Sequence, residues 1–482
     1  MDVSGVRERA PKKKPAQVLL AAALMLATTS ALADWPTHRG NPERTGNIDG
    51  QAGPKAPKVL WVYKSQEHFI ASPVMGSKEL YISGLGALNT ATFHALALDK
   101  APGRQDLWTK LNPYLKLPVV SPPAVAEGKV VFGDGMHQTD GAVLHCLRSE
   151  TGSMLWQLPL PGHLVHLEGA PTIANGRVYI GGGNAGVLCV DLNQVTLDGK
   201  ELELAAVQTI LDKKWKELQA KYEAEKKKDP DFAVPPNEDM LPKPAPKRIW
   251  QQGQDRWHVD ASVAVSGEHV LAASAFLDDE KIGDRALFCL EAKSGEVKWK
   301  APLKLNPWSG PALSGNVVLV GGSSIRFDPQ QLKQGKGELT ALDRATGSVL
   351  WRKDLPGGVV SPAAIKDGLA VFTATDGKVR AWETASGQVT WNYDAKAPFF
   401  AGPAIAGGIV YVADLKGVIH ALNLTDGAKL WTLDMATDPA VKAPGMVYGS
   451  PVANGGRLYV ATCNLEGPYV RQPTAVVCIG DK

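Results

Sequence analysis

Eleven residues with chemically useful side chains recur at one point of a repeating pattern, just before a short segment that usually begins with a small residue and proline. They are His68, His166, Glu168, Trp257, His258, Asp260, Asn306, Trp308, Phe399, Phe400 and Tyr448. Aromatic rings beside imidazoles and carboxylates are suited to stacking a planar cofactor, a sugar or a peptide. The same residue types also fill a channel entrance for packing alone, so the set is a candidate ligand site with both interpretations open.

Neither a metal centre nor a catalytic group can be assigned from these residues. Glu168 and Asp260 offer carboxylate oxygens, but two such donors without a defined loop do not predict a calcium site. No close pair of Cys or His has ligand spacing on one loop, as zinc sites usually do. The sequence therefore predicts binding rather than a recognisable reaction.

The elements that must position these side chains are repeats, and the clearest copy is residues 339–351. There an alternating apolar run leads to a turn acid (Asp343), a glycine (Gly347) and a returning Trp351, the pattern of a β-hairpin. The same Trp recurs at intervals of 47, 48, 94, 49, 52, 40 and 40 residues. These Trp residues are Trp61, Trp108, Trp156, Trp250, Trp299, Trp351, Trp391 and Trp431.

Each repeat predicts four short strands, and eight such repeats predict an all-β, eight-bladed β-propeller of antiparallel blades over residues 59–482. The last repeat supplies three strands, and the N-terminal run Val59 to Tyr63 supplies one. We expect these two ends to pair and to close the ring.

The inner strands of such a ring surround the channel, so the candidate residues are expected near its mouth. The loops between second and third strands share that face, and the long ones are at 84–92, 134–141, 278–285, 323–337 and 464–473. They could add His137, Arg326, Tyr469 and Arg471. Long loops on a rigid scaffold are where binding usually resides.

Four of the five cysteines occupy a position that other repeats fill with alanine. They are Cys146, Cys189, Cys289 and Cys478, equivalent to Ala341, Ala381 and Ala421. Equivalent positions in different blades do not approach bonding distance, which favours buried free thiols over disulfides.

The pattern Ala341, Asp343, Thr346, Gly347 and Trp351 resembles the tryptophan-docking motif of the pyrroloquinoline-quinone (PQQ) type propellers. The segment from Trp35 to Gly40 likewise resembles the opening of exported bacterial members. The resemblance implies the propeller fold, but the superfamily contains both quinoprotein dehydrogenases and non-catalytic scaffolds such as the BamB-type assembly lipoproteins.

Members with dehydrogenase activity carry an adjacent Cys-Cys disulfide, a Glu-Asn-Asp calcium set and often a C-x-x-C-H haem site. This chain has neither an adjacent Cys pair nor that haem motif, so no cofactor is expected, although PQQ with calcium stays an alternative. The predicted function is a non-catalytic binding or assembly scaffold with a protein or cell-envelope partner. The alternatives are a PQQ-dependent oxidoreductase and a carbohydrate-binding propeller.

Residues 1–33 read as a signal peptide, with basic residues, an apolar run and a small-x-small site ending at Ala33, followed by a leader at 34–58. The apolar run is too short for a membrane span, and no Cys at the cleavage point offers a lipid anchor. Removing five basic and two acidic residues takes the formal charge from +3 to about 0, which does not favour nucleic acid. A periplasmic or secreted protein is expected.

The doubled interval of 94 residues contains an insertion at 193–249. An apolar stripe at Leu204, Val207, Leu211, Trp215, Leu218 and Tyr222 predicts a helix, and a proline-rich return follows. We expect the stripe to pack on the propeller's own flank, with a docking surface for another protein as the alternative.

Overall fold

In the described part of the chain the strands form eight sheets, whose innermost strands are neighbours around a central channel. This confirms the predicted eight-bladed β-propeller. The structure is a computed structural model that describes residue 1 and residues 35–48, 52–101, 103–137 and 139–481. All of these except Met1 belong to one compact unit, Ala33–Lys482. The predicted signal peptide, Met1 apart, lies outside the described residues.

The strands follow one another from the channel outwards in each blade. Two strands precede blade 1: β1 (Asn47–Ile48) and β2 (Pro57–Ser65). Blade 1 contains β3 (Val74–Met75), β4 (Glu79–Leu85), β5 (Ala91–Ala97) and β6 (Asp106–Lys110). Blade 2 contains β7 (Ala124–Ala126), β8 (Lys129–Gly133), β9 (Ala142–Arg148) and β10 (Met154–Leu160). Blade 3 contains β11 (Thr172–Ala174), β12 (Arg177–Gly181), β13 (Val187–Leu197), β14 (Lys200–Glu203) and β15 (Ala245–Gln252).

The remaining blades have four strands each, except where the N-terminal strands join them. Blade 4 contains β16 (Ala264–Ser266), β17 (His269–Leu277), β18 (Ile282–Glu291) and β19 (Val297–Pro302). Blade 5 contains β20 (Pro311–Ser314), β21 (Val317–Ser323), β22 (Gly337–Asp343) and β23 (Val349–Leu355). Blade 6 contains β24 (Ala364–Lys366), β25 (Leu369–Thr373), β26 (Lys378–Glu383) and β27 (Val389–Asp394). Blade 7 contains β28 (Ala404–Ala406), β29 (Ile409–Ala413), β30 (Val418–Asn423) and β31 (Lys429–Asp434), and blade 8 contains β32 (Val452–Asn454), β33 (Arg457–Ala461) and β34 (Thr474–Asp481).

The ring closes as predicted, because β2 pairs antiparallel with β34 and becomes the outer strand of blade 8. Short 3₁₀ helices lie at Ala87–Asn89, Glu238–Met240, Pro329–Gln334 and Gly467–Tyr469.

Six of the eight repeat-marking Trp side chains hydrogen-bond to the next blade, Trp431 bonds to the leader, and Trp61 Nε1 has no hydrogen-bond partner among the described residues. Each lies opposite a small residue of the third strand, Ala or Cys, in its own blade. In the clearest case the indole Nε1 of Trp299 donates to the Arg344 carbonyl at 2.9 Å. Six others donate to the carbonyls of Ser149, Leu192, Ala292, Thr384, Leu424 and Pro54. The small slot explains the alternation of Ala and Cys, and all five cysteines are buried and free.

The insertion forms α1 (Leu204–Lys228), which is longer than the predicted apolar stripe. Leu204, Val207 and Leu211 are buried in the core that contains blades 2 and 3, while Trp215 and Leu218 are partly buried against it. Beyond this point the helix is largely exposed. The first half therefore packs on the propeller's flank. Among the helices that the structure describes, none combines the length and the apolarity of a membrane span.

The leader enters the channel instead of lying on the surface. Its carbonyls at Trp35, Pro36, Pro42, Glu43, Thr45 and Gly46 accept backbone hydrogen bonds from the inner strands of blades 1, 2, 4, 5, 6 and 7. For blade 3 the link is a side chain, since Arg44 donates to the Ala170 and Pro171 carbonyls at 3.2 and 3.3 Å. These contacts lie near the ends of the inner strands, on the side of the Asp-x-x-Thr-Gly turns. The opposite mouth of the channel lies on the face that carries the loops between second and third strands, called here the loop-rich face. This mouth holds the candidate residues.

Candidate functional site

Four of the predicted residues converge at the mouth of the channel between blades 3 and 4. His166 and Glu168 precede the inner strand of blade 3, and His258 and Asp260 precede that of blade 4. His258 Nε2 lies 3.0 Å from Oδ1 and 3.1 Å from Oδ2 of Asp260. His166 Nε2 lies 3.6 Å from Asp260 Oδ1. The two imidazole rings meet edge to face at 5.2 Å, so the set is one compact cluster, called here the His-Asp cluster (His166, His258 and Asp260).

The loop after the second strand of blade 3 holds His258 in place through Asn184. Asn184 Oδ1 lies 2.7 Å from His258 Nδ1, and Asn184 Nδ2 donates to the His163 carbonyl at 3.1 Å. The second bond fixes the amide so that its oxygen faces the imidazole. His258 then donates from Nδ1 and directs Nε2 at Asp260. Gly183 allows this loop to approach, because a Cβ there would lie 2.4 Å from the Leu164 carbonyl oxygen.

His166 is fully buried, yet neither of its ring nitrogens has a hydrogen-bond partner within the described residues. Its Nδ1 lies 3.6 Å from Glu168 Oε1, just beyond hydrogen-bond distance. Buried imidazole nitrogens are normally satisfied, so an unpartnered pair requires an explanation.

The charges at the cluster favour an ionised carboxylate. Burial alone would raise the pKa of Asp260, but His258, His166 and Arg326 together hold it below its ordinary value. At the rim, the backbone N–H of His137 donates to Glu168 Oε1 at 2.6 Å. The same carboxylate also lies 3.6 Å from His137 Nδ1, and this side-chain interaction raises the pKa of the His137 imidazole. The carboxylates therefore place negative charge at the centre of the mouth, and side chains at the rim partly offset that charge.

Trp308 and Arg326 form a second element of the rim. The Arg326 guanidinium lies over the Trp308 ring, 4.5 Å from its centroid, in a cation–π arrangement. One face of this ring is thereby covered.

The other half of the mouth is apolar and is built by blades 6, 7 and 8. Phe400 and Tyr448 meet edge to face at 5.0 Å, and Phe327 packs on Phe400 at 5.5 Å. Buried neighbours complete this apolar half: Val360, Leu415, Met446 and Cys463. The partly buried Tyr469 packs against the same cluster.

The remaining predicted residues lie elsewhere or have a structural role. Trp257 stacks on Phe288 at 4.0 Å in the core of blade 4, and Phe399 is buried in the core between blades 6 and 7. Asn306 binds the backbone of Phe276 through both side-chain atoms. His68 Nδ1 accepts from the Asn464 backbone N–H at 3.1 Å. These four were not brought to the His-Asp cluster.

Asn184 is the polar residue beside the His-Asp cluster that the sequence analysis missed. Its signal was the run Gly181-Gly182-Gly183-Asn184-Ala185-Gly186, whose glycines allow close backbone approach. This run lies in a short loop, whereas the sequence analysis predicted additional binding residues only from the long loops.

The described residues do not supply the parts of a quinone–calcium site. The thiols are buried singly in the blades, and one face of Trp308 is covered by Arg326. Imidazole nitrogens, which dominate the cluster, are not ligands that calcium prefers.

A family model described as "Outer membrane protein assembly factor BamB" matches residues 53–213 and 335–467. Among curated proteins, none matches this sequence. The matched segments include the first to third and the sixth to eighth of the Trp positions defined above.

Solved structures with the same fold belong to proteins of different kinds. The BamB structure from Moraxella catarrhalis aligns with a TM-score of 0.56 at 13% identity, over 88% of this chain and 97% of that one. Quinohemoprotein alcohol dehydrogenase from Comamonas testosteroni aligns with a TM-score of 0.61 at 15% identity, over 93% and 81%. A computationally designed protein, Ika8, aligns with a TM-score of 0.57 at 13% identity, over 88% and 99%. At such identities the likeness establishes the shared fold alone.

Proposed function

The chain belongs to the family described as outer membrane protein assembly factor BamB, and from this premise we propose that it is a non-catalytic scaffold of the cell envelope. On this proposal the loop-rich face binds a protein partner in outer membrane protein assembly, the process that the family description names. The supporting observation is that three large apolar side chains are exposed on the loops of that face.

Three large apolar residues stand at the tips of loops between second and third strands. Leu88 is 100% exposed, Val470 50% and Phe327 43%, and they belong to blades 1, 8 and 5. Burying one such side chain in a complex contributes roughly 1.5–3 kcal/mol. Other exposed large apolar side chains lie on outer strands or the insertion, for example Leu107, Val389 and Phe232. These three are distinguished by their place on loop tips of a rigid scaffold, where binding usually resides.

The backbone holds Leu88 outwards at an energetic cost. Leu88 and Asn89 have φ values of 56° and 57°, a left-handed conformation that costs a non-glycine residue roughly 1–2 kcal/mol. The loop is closed by a hydrogen bond from the Gly86 N–H to the Thr90 carbonyl at 2.7 Å. Strain of this kind is usually retained where a side chain is needed in a particular place.

The proposal is tested by replacing Leu88 with a photoreactive phenylalanine analogue in cells and identifying the cross-linked proteins. We expect an adduct with an envelope assembly protein, because the side chain at this position faces the partner. Leu88→Asp should then reduce co-purification of that partner at least about tenfold, equivalent to 1.4 kcal/mol.

Leu430 provides the matched control, since it is 48% exposed but lies on the outer strand of blade 7. The photoreactive group at this position should give no adduct with the same protein. Equal adducts at both positions, or adducts at position 430 only, would contradict binding through the loop-rich face.

Neither alternative function has a comparable observation in its favour. A sugar-binding site stacks its ligand on an accessible aromatic face, and at Trp308 one of the two faces is taken by Arg326. A quinone-dependent oxidoreductase requires a quinone–calcium site, and the described residues do not supply its parts.

A further inference from the structure

We propose that the His-Asp cluster binds a divalent transition-metal ion, with zinc as the ion that fits its donors. The ligands are His166 Nε2, His258 Nε2 and a carboxylate oxygen of Asp260. This inference is independent of the proposed scaffold function.

The spacing of the ligand atoms agrees with tetrahedral coordination. One ligand atom from each of the three residues lies within 4.8 Å of the other two. Zinc bonds of about 2.0–2.1 Å place tetrahedral ligand atoms roughly 3.4 Å apart. The two distances to Asp260 Oδ1, 3.6 Å from His166 and 3.0 Å from His258, lie on either side of that value.

The unpartnered state of His166 is the second, independent observation. Its side chain is 0% exposed and both nitrogens are without hydrogen bonds in the described structure. An ion bound to Nε2 would satisfy the nitrogen that faces Asp260. The other nitrogen faces Glu168 at 3.6 Å, which is positioned to orient the ring rather than to compete for the metal.

The surrounding residues have the character of an outer coordination shell. Asn184 accepts from His258 Nδ1 at 2.7 Å and leaves Nε2 free to coordinate, as outer-shell partners of metal-bound histidines do. Imidazole nitrogens as ligands favour zinc and its neighbours over calcium or magnesium. Asp260 and the neighbouring Glu168 supply two carboxylates, whose charge would balance that of a divalent ion.

The test is a Co²⁺ titration of the untagged, EDTA-treated protein by visible absorption, followed by displacement with Zn²⁺ and by calorimetry. We expect one equivalent to bind and zinc to displace cobalt. His166→Gln and Asp260→Asn should each weaken zinc binding by at least about 100-fold, since even outer-shell changes cost 10- to 100-fold. Zinc should also raise the melting temperature of the wild type but not of Asp260→Asn.

His163 gives the matched control. Its Nδ1 lies 2.9 Å from Asp140 Oδ1, with side chains 73% and 68% exposed, so it forms the same type of pair at the surface. His163→Gln keeps the backbone carbonyl that accepts from Asn184, so this variant should bind zinc as the wild type does. Because Asp260→Asn keeps the size of the side chain, its fold can be verified by circular dichroism. The inference is overturned if the wild type shows no saturable binding, or if the cluster variants bind as tightly as His163→Gln.

Discussion

Replacing Arg44 with methionine is expected to lower the free energy of unfolding by about 3 kcal/mol or more, measured by chemical denaturation. The fully buried guanidinium makes six hydrogen bonds to described residues. They include the Val263 carbonyl at 3.1 Å, Thr37 Oγ1 at 2.7 Å and the His38 carbonyl at 2.6 Å. Hydrogen bonds to a charged group contribute roughly 1.5–3 kcal/mol each, and the acceptors would be left unsatisfied.

The loss should be large even though burial of the cation is unfavourable. Burial, with the nearby Arg39, lowers the pKa of Arg44 to about 9, which reflects the cost of keeping a charge away from water. The acceptors from blades 3 and 4 offset that cost. Loss of the hydrogen bonds from Arg44 to these acceptors should loosen the leader from blades 3 and 4.

Arg39→Met is the matched control, because Arg39 lies in the same leader and is also buried, at 1% exposed. Its three guanidinium nitrogens have no hydrogen-bond partner among the residues that the structure describes. Replacing it with a side chain of similar volume should be close to neutral or stabilising. Equal losses for the two variants, or a loss below about 1 kcal/mol for Arg44→Met, would contradict the assignment of Arg44 as the side chain that fastens the leader.

Replacing Gly347 with alanine is expected to cost about 2–4 kcal/mol, again measured as the free energy of unfolding. Gly347 has a φ of 72°, and a Cβ there would lie 2.6 Å from Cδ2 of Trp299. The substitution therefore strains the turn and displaces the indole of the preceding blade. The interface between blades 4 and 5 should weaken.

Gly315→Ala separates these two effects, because Gly315 has a φ of 57° with nothing within 4 Å of its Cβ position. It lies in another turn of the same blade. Gly315→Ala should lower the free energy of unfolding only by the roughly 1–2 kcal/mol that a left-handed backbone conformation costs a residue other than glycine. If both variants lose the same stability, the contact with Trp299 contributes nothing.

The repeat could be predicted from sequence because each of its residues acts locally. Gly347 needs a positive φ, Asp343 accepts from the backbone N–H of Thr346 at 2.9 Å within its own turn, and Trp351 begins the return strand. The returning Trp recurs in every blade and the turn residues recur in most of them, so eight imperfect copies identify the fold together. The pairing of β2 with β34 followed from counting strands.

The path of the leader could not be predicted, because it depends on contacts far apart in the chain. Arg44 bonds to Val263, 219 residues away, and arginine in a leader ordinarily indicates a solvated charge. Only the assembled channel, lined by inner-strand backbone, supplies neutral acceptors for a buried guanidinium.

The candidate site was predicted in part for a similar reason. The repeat register places His166, His258 and Asp260 before inner strands, and neighbouring blades bring them together. The same register also selected Trp257 and Phe399, whose side chains turn into the core. Register gives the position along the channel, but the direction of a side chain depends on packing.

The central claim, a non-catalytic scaffold, is tested most directly by titrating the purified protein with PQQ, with and without calcium, while following tryptophan fluorescence. We predict no saturable change at micromolar concentrations. Trp308→Ala should behave as the wild type does, and so should Trp215→Ala on the insertion helix. Saturable, calcium-dependent quenching that is weakened by Trp308→Ala or Asp260→Ala, but not by Trp215→Ala, would contradict the scaffold proposal and favour a quinone-dependent oxidoreductase.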